Sequence, residues 1–409
     1  MMRKMEMHEK FVSFGSMRIL MINYEYPPVG GGAGVISKHI AEGLVALGHE
    51  VHVVSVHYGD LPDSTKESGV QVTRLKSKRK FVYQSNPIEM LSWMHYAKKF
   101  LRRHFKKTTY HLCFAHFALP GGEVAYSMNL EFGLPYVVMS HGHDIPWFFP
   151  KQMWPYHTVT YFWIRKIVLN SKALFVQSDD METNAKMFLG NEKSHLVNQI
   201  PNGWDANFYY PDDSKKSTGF TLLFPGRLVK QKDPFTVLKA VQRLKTKIPD
   251  LKLQILGDGP LRKPMEAWVQ SRDLQNIVRF EGWIDKARMR EAYQTCSIVV
   301  LPSLNEGMSM ATLEAMACGA YVIVTDVSRN TSLVKLDING AIIGMQDDEA
   351  LANAILRYYK EKHLKQYQVP KASIDSLFAI YSWDTVVKQY DEVLGEVSGV
   401  RSQELGVRV

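Results

Sequence analysis

The sequence predicts an α/β protein built from two doubly wound, parallel-sheet domains facing each other across a cleft. Three observations carry this. At 409 residues the chain has room for two domains at ~100–200 residues each. Short apolar runs alternate with helical stretches through the first half. After a turn-rich polar segment the same alternation starts again.

The first unit begins with the buried-strand run Ile19, Leu20, Met21, Ile22, then a Pro/Gly loop, then a helix from Val35 to Leu47. Ile36, Ile40, Leu44 and Leu47 recur at the spacing of one buried helical face, and Gly48 stops the helix. Val51–Val56 is the next strand, so about forty residues make one strand–helix–strand unit. Leu112–Ala115, Tyr136–Met139 and Ala173–Gln177 continue as short buried strands, and the first half reads as a parallel sheet. The turn-rich run Ile200–Asp205 and the polar stretch Pro211–Thr218 read as a linker. Phe220–Phe224, Leu251–Leu256, Val278–Glu281, Ile298–Leu301 and Tyr321–Thr325 are the strands of the second unit. The predicted domains are residues 17–205 and 206–380, with a helix over 381–397 returning to the first. Ligands of such sheets bind at the carboxyl ends of strands.

Composition excludes several classes. With 45% hydrophobic, 22% charged and 11% aromatic residues the chain is globular rather than disordered or fibrous. No run approaches ~18 consecutive apolar residues, so no spanning helix is expected. Met1–Ser16 lacks the continuous apolar core of a secretory signal, which predicts a cytoplasmic protein. Cys113, Cys296 and Cys318 are too scattered for a disulfide framework or a zinc site, and no metal is expected. The net charge is +9, and residues 1–200 hold most of it, with 23 Lys and Arg against 16 Asp and Glu.

Four motifs end strands. In the first, Pro27–Gly34, glycines let backbone amides approach an anion at a helix start, although a merely tight turn accounts for them equally well. Its spacing is not that of the dinucleotide fingerprint. In the second, Arg227 and Lys232 lie five residues apart and could flank a diphosphate; a solvated basic loop is the alternative. The third runs from Pro302 to Gly319. Glu306 sits in a strand-end loop and Glu314, seven intervening residues on, lies in a helix opening near Ser309. Each carboxylate could accept hydroxyls from a sugar or ribose, and Glu314, set among Leu313, Ala315, Met316 and Ala317, needs a partner. Glu306 as a helix cap and Glu314 as an exposed helical residue are the alternatives. The fourth is His141, Gly142, His143, Asp144, a polar active-site edge rather than a metal site; for His116, core packing is the alternative.

These motifs, in this order and over Met17 to about Leu394, resemble the large retaining glycosyltransferase family of GT-B fold that uses nucleotide-sugar donors and carries a Glu, seven residues, Glu motif, family 4 group 1. Gly48–Val51, Pro201–Gly203 and Gly257–Pro260 share in the likeness. The resemblance implies a donor diphosphate held by Arg227, Lys232, the Gly31 and Gly32 amides and the amides of Met308, Ser309 and Met310. It implies Glu306 on donor sugar hydroxyls, Glu314 on the ribose and His141 beside the sugar, so that His141, Arg227, Lys232 and Glu306 form the catalytic set. The base is expected near Gly282 and Trp283, and His116 and Asp144 on the acceptor side. Met308 and Ser309 depart from the family's usual Phe-Gly, and Ser328–Leu333 from its usual Gly-Gly loop.

The implied activity is metal-independent, retaining transfer of a hexose from a UDP- or GDP-sugar to a hydroxyl of a glycan or lipid-linked acceptor, with no cofactor beyond that co-substrate. A sugar-nucleotide epimerase or hydrolase, or a catalytically silent nucleotide-sugar-binding module, are the rival readings. Between Arg74 and Lys107 there are eleven Lys and Arg and one acid, Glu89. A helix from Met90 would set Met90, Trp93, Met94, Ala97, Phe100, Leu101 and Phe105 on one side and Lys98, Lys99, Arg102, Arg103, Lys106 and Lys107 on the other. That pattern suits an anionic membrane interface on the inner face, or an outer helix packed on the sheet. Nucleic acid is not expected as a partner, since no nucleic-acid-binding motif accompanies the charge.

Overall fold

The computed structural model describes residues 15–82, 85–104, 110–146, 150–216, 219–327 and 330–400. The chain divides into two compact units. The first comprises residues up to Val176, Ala185–Ile200 and the chain from Val387 onward; the second comprises Gln177–Asn184 and Pro201–Val386.

In the N-terminal unit the elements are β1 (Arg18–Ile22), α1 (Gly32–Ala46), β2 (Glu50–Val56), β3 (Ser64–Glu67), β4 (Val70–Leu75), α2 (Pro87–His104), β5 (Leu112–His116), α3 (Glu123–Phe132), β6 (Tyr136–Met139), α4 (Pro150–Leu169), β7 (Leu174–Val176), α5 (Asp179–Leu189), which crosses into the second unit, and β8 (Val197–Gln199). The sheet order is β3-β4-β2-β1-β5-β6-β7-β8. The sheet is parallel except at its edge, where β3 runs antiparallel to β4, which corrects the expectation of a wholly parallel first sheet. β3 is the polar tetrapeptide Ser-Thr-Lys-Glu, and it closes a hairpin through Ser68 and Gly69, both at positive φ. The central strands are buried on both faces, as crossover helices require.

The second unit runs β9 (Thr221–Pro225), α6 (Pro234–Leu244), β10 (Lys252–Leu256), α7 (Arg262–Gln270), β11 (Val278–Gly282), α8 (Lys286–Thr295), β12 (Ile298–Leu301), α9 (Met310–Ala317), β13 (Tyr321–Thr325), α10 (Asn330–Leu333), β14 (Gly340–Ile343), α11 (Asp348–Glu361), α12 (Lys371–Tyr381) and α13 (Trp383–Ser398). Its six strands, ordered β11-β10-β9-β12-β13-β14, are all parallel. One core fills each face: Leu222, Phe224, Val300 and Ile323 with α6 and α11 on one side, Leu223, Val299, Val322 and Val324 with α9 on the other.

The last helix changes units at Val387. Beyond that point Tyr390 is fully buried, with its ring 5.1 Å from Phe175 and 5.9 Å from Phe114. Val387 lies over Gly43, where a Cβ would come within 2.6 Å of it. Asp391 Oδ1 is 2.7 Å from His49 Nε2, while His49 Nδ1 accepts from the Met17 amide at 3.1 Å. His49, for which the sequence suggested no job, therefore ties the start of β1 to α13.

α2 packs its apolar side inward. Trp93, Ala97 and Leu101 are buried, with Met94 close behind, so the face that sequence periodicity offered to a membrane is spent on the sheet and on α3. Lys98 pairs with Glu123 of α3, and Arg102 forks onto both oxygens of Glu131 at 2.8 and 2.9 Å. Lys99 and Arg103 have no such partner among the described residues. Phe105, Lys106 and Lys107 lie outside the described residues.

Candidate active site

In the second unit, β9 ends at Pro225 and the chain turns through Gly226 at φ +142°. The turn sits against its neighbour so closely that a Cβ on Gly257 would lie 2.1 Å from the Gly226 carbonyl oxygen, and one on Gly259 2.6 Å from that of Leu228. Only glycine fits there, and the packed backbone fixes where Arg227 leaves the sheet. The Arg227 side chain is exposed and has no hydrogen bond or ion pair among the described residues. Lys232, at the end of a single 3₁₀ turn, pairs with Glu306.

Glu306 is held from two sides. Ser303 Oγ donates to its Oε1 at 2.9 Å, and the surrounding loop is pinned to the Lys232 turn by Leu304 N to Gln231 O at 2.8 Å and Gln231 Nε2 to Asn305 O at 2.9 Å. Both ionic side chains are largely enclosed, so their attraction is screened less than that of a surface pair. The cation and the carboxylate assigned by resemblance to diphosphate and sugar thus hold one another in this structure.

α9 opens as its sequence suggested. Ser309 is the N-cap, its Oγ accepting from the Thr312 amide at 3.3 Å, so Glu306 does not cap the helix. The preceding Met308 is buried; Asn202 donates to its carbonyl at 3.2 Å and to its sulfur at 3.1 Å. Ser309 and Met308 thereby supply a fixed helix start despite their departure from the family's usual residues. The amides of Met310 and Ala311, at the positive end of α9, donate no hydrogen bond among the described residues.

One turn on, Glu314 has the partner its apolar neighbours demand. Tyr293 Oη lies 3.5 Å from Glu314 Oε2, and Tyr209 also favours the charged carboxyl. Burial pushes the Glu314 carboxyl up to about 7, against the pull of Lys286 and the two tyrosines. Gly282 ends β11 at φ +72° and Trp283 follows with 55% of its surface exposed. Tyr209 and Tyr293 were not found from sequence, because each reaches the site by tertiary packing rather than by spacing, while Asn202, Gln231 and Ser303 lie in the quoted motifs without a role assigned there.

The N-terminal unit carries the remaining residues. Gly30, at φ +99°, would drive a Cβ to within 2.5 Å of Glu25, whereas Gly31 and Gly32 face open space. The Gly31 amide donates to Glu25 Oε2 at 3.3 Å, so a carboxylate of this chain already occupies one of the two amides expected to meet an anion. His116 is fully buried, stacked on Phe114, and its Nδ1 is 3.1 Å from His141 Nε2. Burial lowers both imidazoles, His141 to about 4, so both are neutral near pH 7 and one donates to the other. Asp144 is buried as well: Ser140 Oγ and the His141 amide donate to one oxygen, at 2.8 and 2.9 Å, and the Ala118 amide to the other at 2.7 Å. This corrects the acceptor-side expectation. His116 and Asp144 brace His141 from behind, and only His141 keeps a partly open side. Among the described residues no group of three or more His, Cys, Asp and Glu converges as metal ligands, and the three cysteines are free and buried.

Two Rossmann-like units, each with its motifs at the carboxyl ends of strands, make up the GT-B architecture. Residues 209–373 match the glycosyl transferases group 1 and residues 30–208 match Glycosyltransferase Family 4. The chain belongs to this glycosyltransferase family and is an enzyme of that class. It is 26% identical to an uncharacterized glycosyltransferase of Methanocaldococcus jannaschii over 91% of this chain and 96% of that one. It is 30% identical, over 41% of this chain and 46% of the relative, to the UDP-Gal:alpha-D-GlcNAc-diphosphoundecaprenol alpha-1,3-galactosyltransferase of Escherichia coli. Among solved structures, sucrose-phosphate synthase from Thermosynechococcus elongatus superposes with a TM-score of 0.79 at 20% identity, covering 94% of this chain and 99% of that one.

Proposed function

We propose that this glycosyltransferase moves a hexose from a UDP- or GDP-sugar, with retention and without a metal, to a hydroxyl of a glycan or lipid-linked acceptor. The observation that carries the reading is the grouping in the second unit of unpaired Arg227, the Lys232–Glu306 pair and the open amides of Met310 and Ala311. A diphosphate is the ligand that suits two cations and a helix start together. Glu306 then turns one oxygen to donor sugar hydroxyls, Glu314 accepts the ribose hydroxyls, and Trp283 offers a face to the base. As the glycosidic bond to the diphosphate breaks, charge grows on the leaving oxygen, where Arg227 and Lys232 are already in place. The leaving phosphate takes the acceptor's proton from the same face, which returns the anomeric configuration. His141, neutral at pH 7, serves as a hydrogen-bond partner to the sugar rather than as an acid.

The E. coli relative's name, with its UDP-linked donor and diphosphoundecaprenol-linked acceptor, supports a UDP donor and a lipid-linked acceptor for this chain. The outward side of α2 supports docking on anionic membrane: Ile88, Leu91 and Tyr96 are exposed there beside Lys99 and Arg103. A panel of UDP-, GDP- and ADP-sugars, each with and without lipid-linked and glycan acceptors and in excess chelator, tests the reading by nucleotide release, with the product anomer read by NMR. Acceptor-stimulated release in chelator with retained configuration is expected. Absence of transfer from every donor, strict dependence on a divalent ion, or an inverted product would each overturn the corresponding part.

A further inference from the structure

A cavity of about 440 Å³ opens between the carboxyl end of β4 and the outer side of α2 in the N-terminal unit, and none of the residues of the candidate active site lines it. Its walls carry Lys76 and Lys78 from the segment after β4, and Lys99 and Arg103 from α2. No carboxylate lines it, and none of the four cations has a hydrogen bond or ion pair among the described residues. The same helix shows the contrast: Lys98 and Arg102, on its other side, are each matched by a glutamate of α3. Between the two lysines, Ser77 Oγ is buried without a hydrogen-bond partner. Tyr96 presents its hydroxyl-bearing ring at the rim.

Four like charges around one cavity repel, and an orphaned buried hydroxyl costs desolvation; a single anion answers both. A carboxylate, with one charge, would neutralise a quarter of the set. A phosphate monoester or diphosphate carries about two charges or more near pH 7 and enough acceptor oxygens for an arginine fork, three ammonium groups and a serine. We propose that this cavity is a phosphate-binding site, taking the phosphate or diphosphate group of an acceptor. As an acceptor subsite it rests on the transferase reading above, while as a phosphate site it stands apart from it. The shared chemistry is a phosphate ester, presented either by a lipid headgroup at a membrane or by a soluble phosphorylated acceptor.

The probe is inorganic pyrophosphate, titrated calorimetrically into full-length protein already saturated with UDP, which removes the donor site from the measurement. Wild type is expected to bind pyrophosphate. Lys99→Ala/Arg103→Ala, both exposed positions on a helix whose core is untouched, is expected to bind at least about tenfold more weakly, the loss of one or two charge-assisted contacts. Lys76→Ala/Lys78→Ala should do the same, and neither variant should change UDP affinity. Flotation with vesicles matched in charge, containing phosphatidate or oleate, separates the sources. Preference for phosphatidate, reversed by pyrophosphate, assigns a lipid headgroup; pyrophosphate binding without that preference assigns a soluble phosphate ester. No pyrophosphate binding to UDP-saturated protein, or binding unchanged in both double variants, overturns the proposal. Failure of every donor to transfer, with pyrophosphate binding intact, would instead overturn only the acceptor role.

Discussion

Replacing Glu314 with Gln tests the most unusual titration in the donor unit. In the folded chain burial raises this carboxyl from the ordinary 4.5 to about 7, so folding favours its protonated form. The sign follows by linkage: Glu314 costs nothing below pH ~4.5, and its cost grows as pH rises through the window to about 7, above which it is constant. At roughly 1.4 kcal/mol per tenfold, the span from 4.5 to about 7 gives up to about 3 kcal/mol of destabilisation at pH 8. Glu314→Gln, uncharged and able to accept from Tyr293 or Tyr209, should therefore unfold at higher denaturant than wild type at pH 8 and at nearly the same denaturant at pH 4.5. Its affinity for uridine, a ligand without a phosphate of its own to titrate, should move the other way. Ribose hydroxyls donate to the ionised carboxylate, so wild-type affinity should rise with pH up to about 7 and then level. The variant should bind weakly with a flat profile. Urea titrations at the two pH values and calorimetry between pH 5.5 and 8.5 read both effects. A variant no more stable than wild type at pH 8, with a uridine profile as steep as wild type's, would refute the reasoning.

Two further outcomes follow from the same geometry. Arg227→Ala and Lys232→Ala should each lower single-turnover transfer by about 10²- to 10³-fold, the scale of losing a preorganised donor at a developing charge; near-native turnover in both would remove the diphosphate assignment. His141, lowered to about 4, stabilises the fold only while neutral, so stability is present above pH ~6.5 and is lost as pH falls toward 4. His141→Gln should relieve about 2 kcal/mol of that acid loss, allowing for its partly open side, and equal acid sensitivity in denaturation at pH 4.5 would contradict it.

What could be read from sequence was local. The Pro302–Gly319 run showed its loop, a helix opening near Ser309 and both carboxylates, because a strand end, a helix start and their spacing lie within eighteen residues, whereas the cap itself was offered to Glu306 and belongs to Ser309. The Lys232–Glu306 pair spans 74 residues and the Tyr293–Glu314 contact 21 residues between two helices, and no periodicity reports such meetings. β3 was missed because Ser-Thr-Lys-Glu has no apolar alternation, and β14 because Gly-Ala-Ile-Ile is too short to stand out. For α2 the amphipathic pattern was legible and its destination stayed open, since a helix covering a sheet and one lying in a lipid interface need the same stripe. Only Trp93 and Leu101 found inside the fold decide it.

Charge in the sequence and charge available to a ligand are different quantities, and this chain separates them. The segment from Arg74 to Lys107 holds eleven basic residues, yet Arg74 pairs with Glu67, Arg79 donates to the carbonyls of Phe81 and Val82, and Lys98 and Arg102 pair with α3. Of the others among the described residues, Lys76, Lys78, Lys80, Lys99 and Arg103 are left without a carboxylate, and all but Lys80 gather around one cavity. Residues 201 to 409 carry 27 basic against 25 acidic side chains, and in the second unit Lys232 is held by Glu306 while Arg227 stands uncompensated. A paired cation spends its field on its partner, and a ligand must displace that partner before gaining from it. An unpaired one requires no such exchange. The density of lysine and arginine along the chain marks the basic half of the protein, whereas the cations that a diphosphate or phosphate can recruit at once are the few left without carboxylates at strand ends.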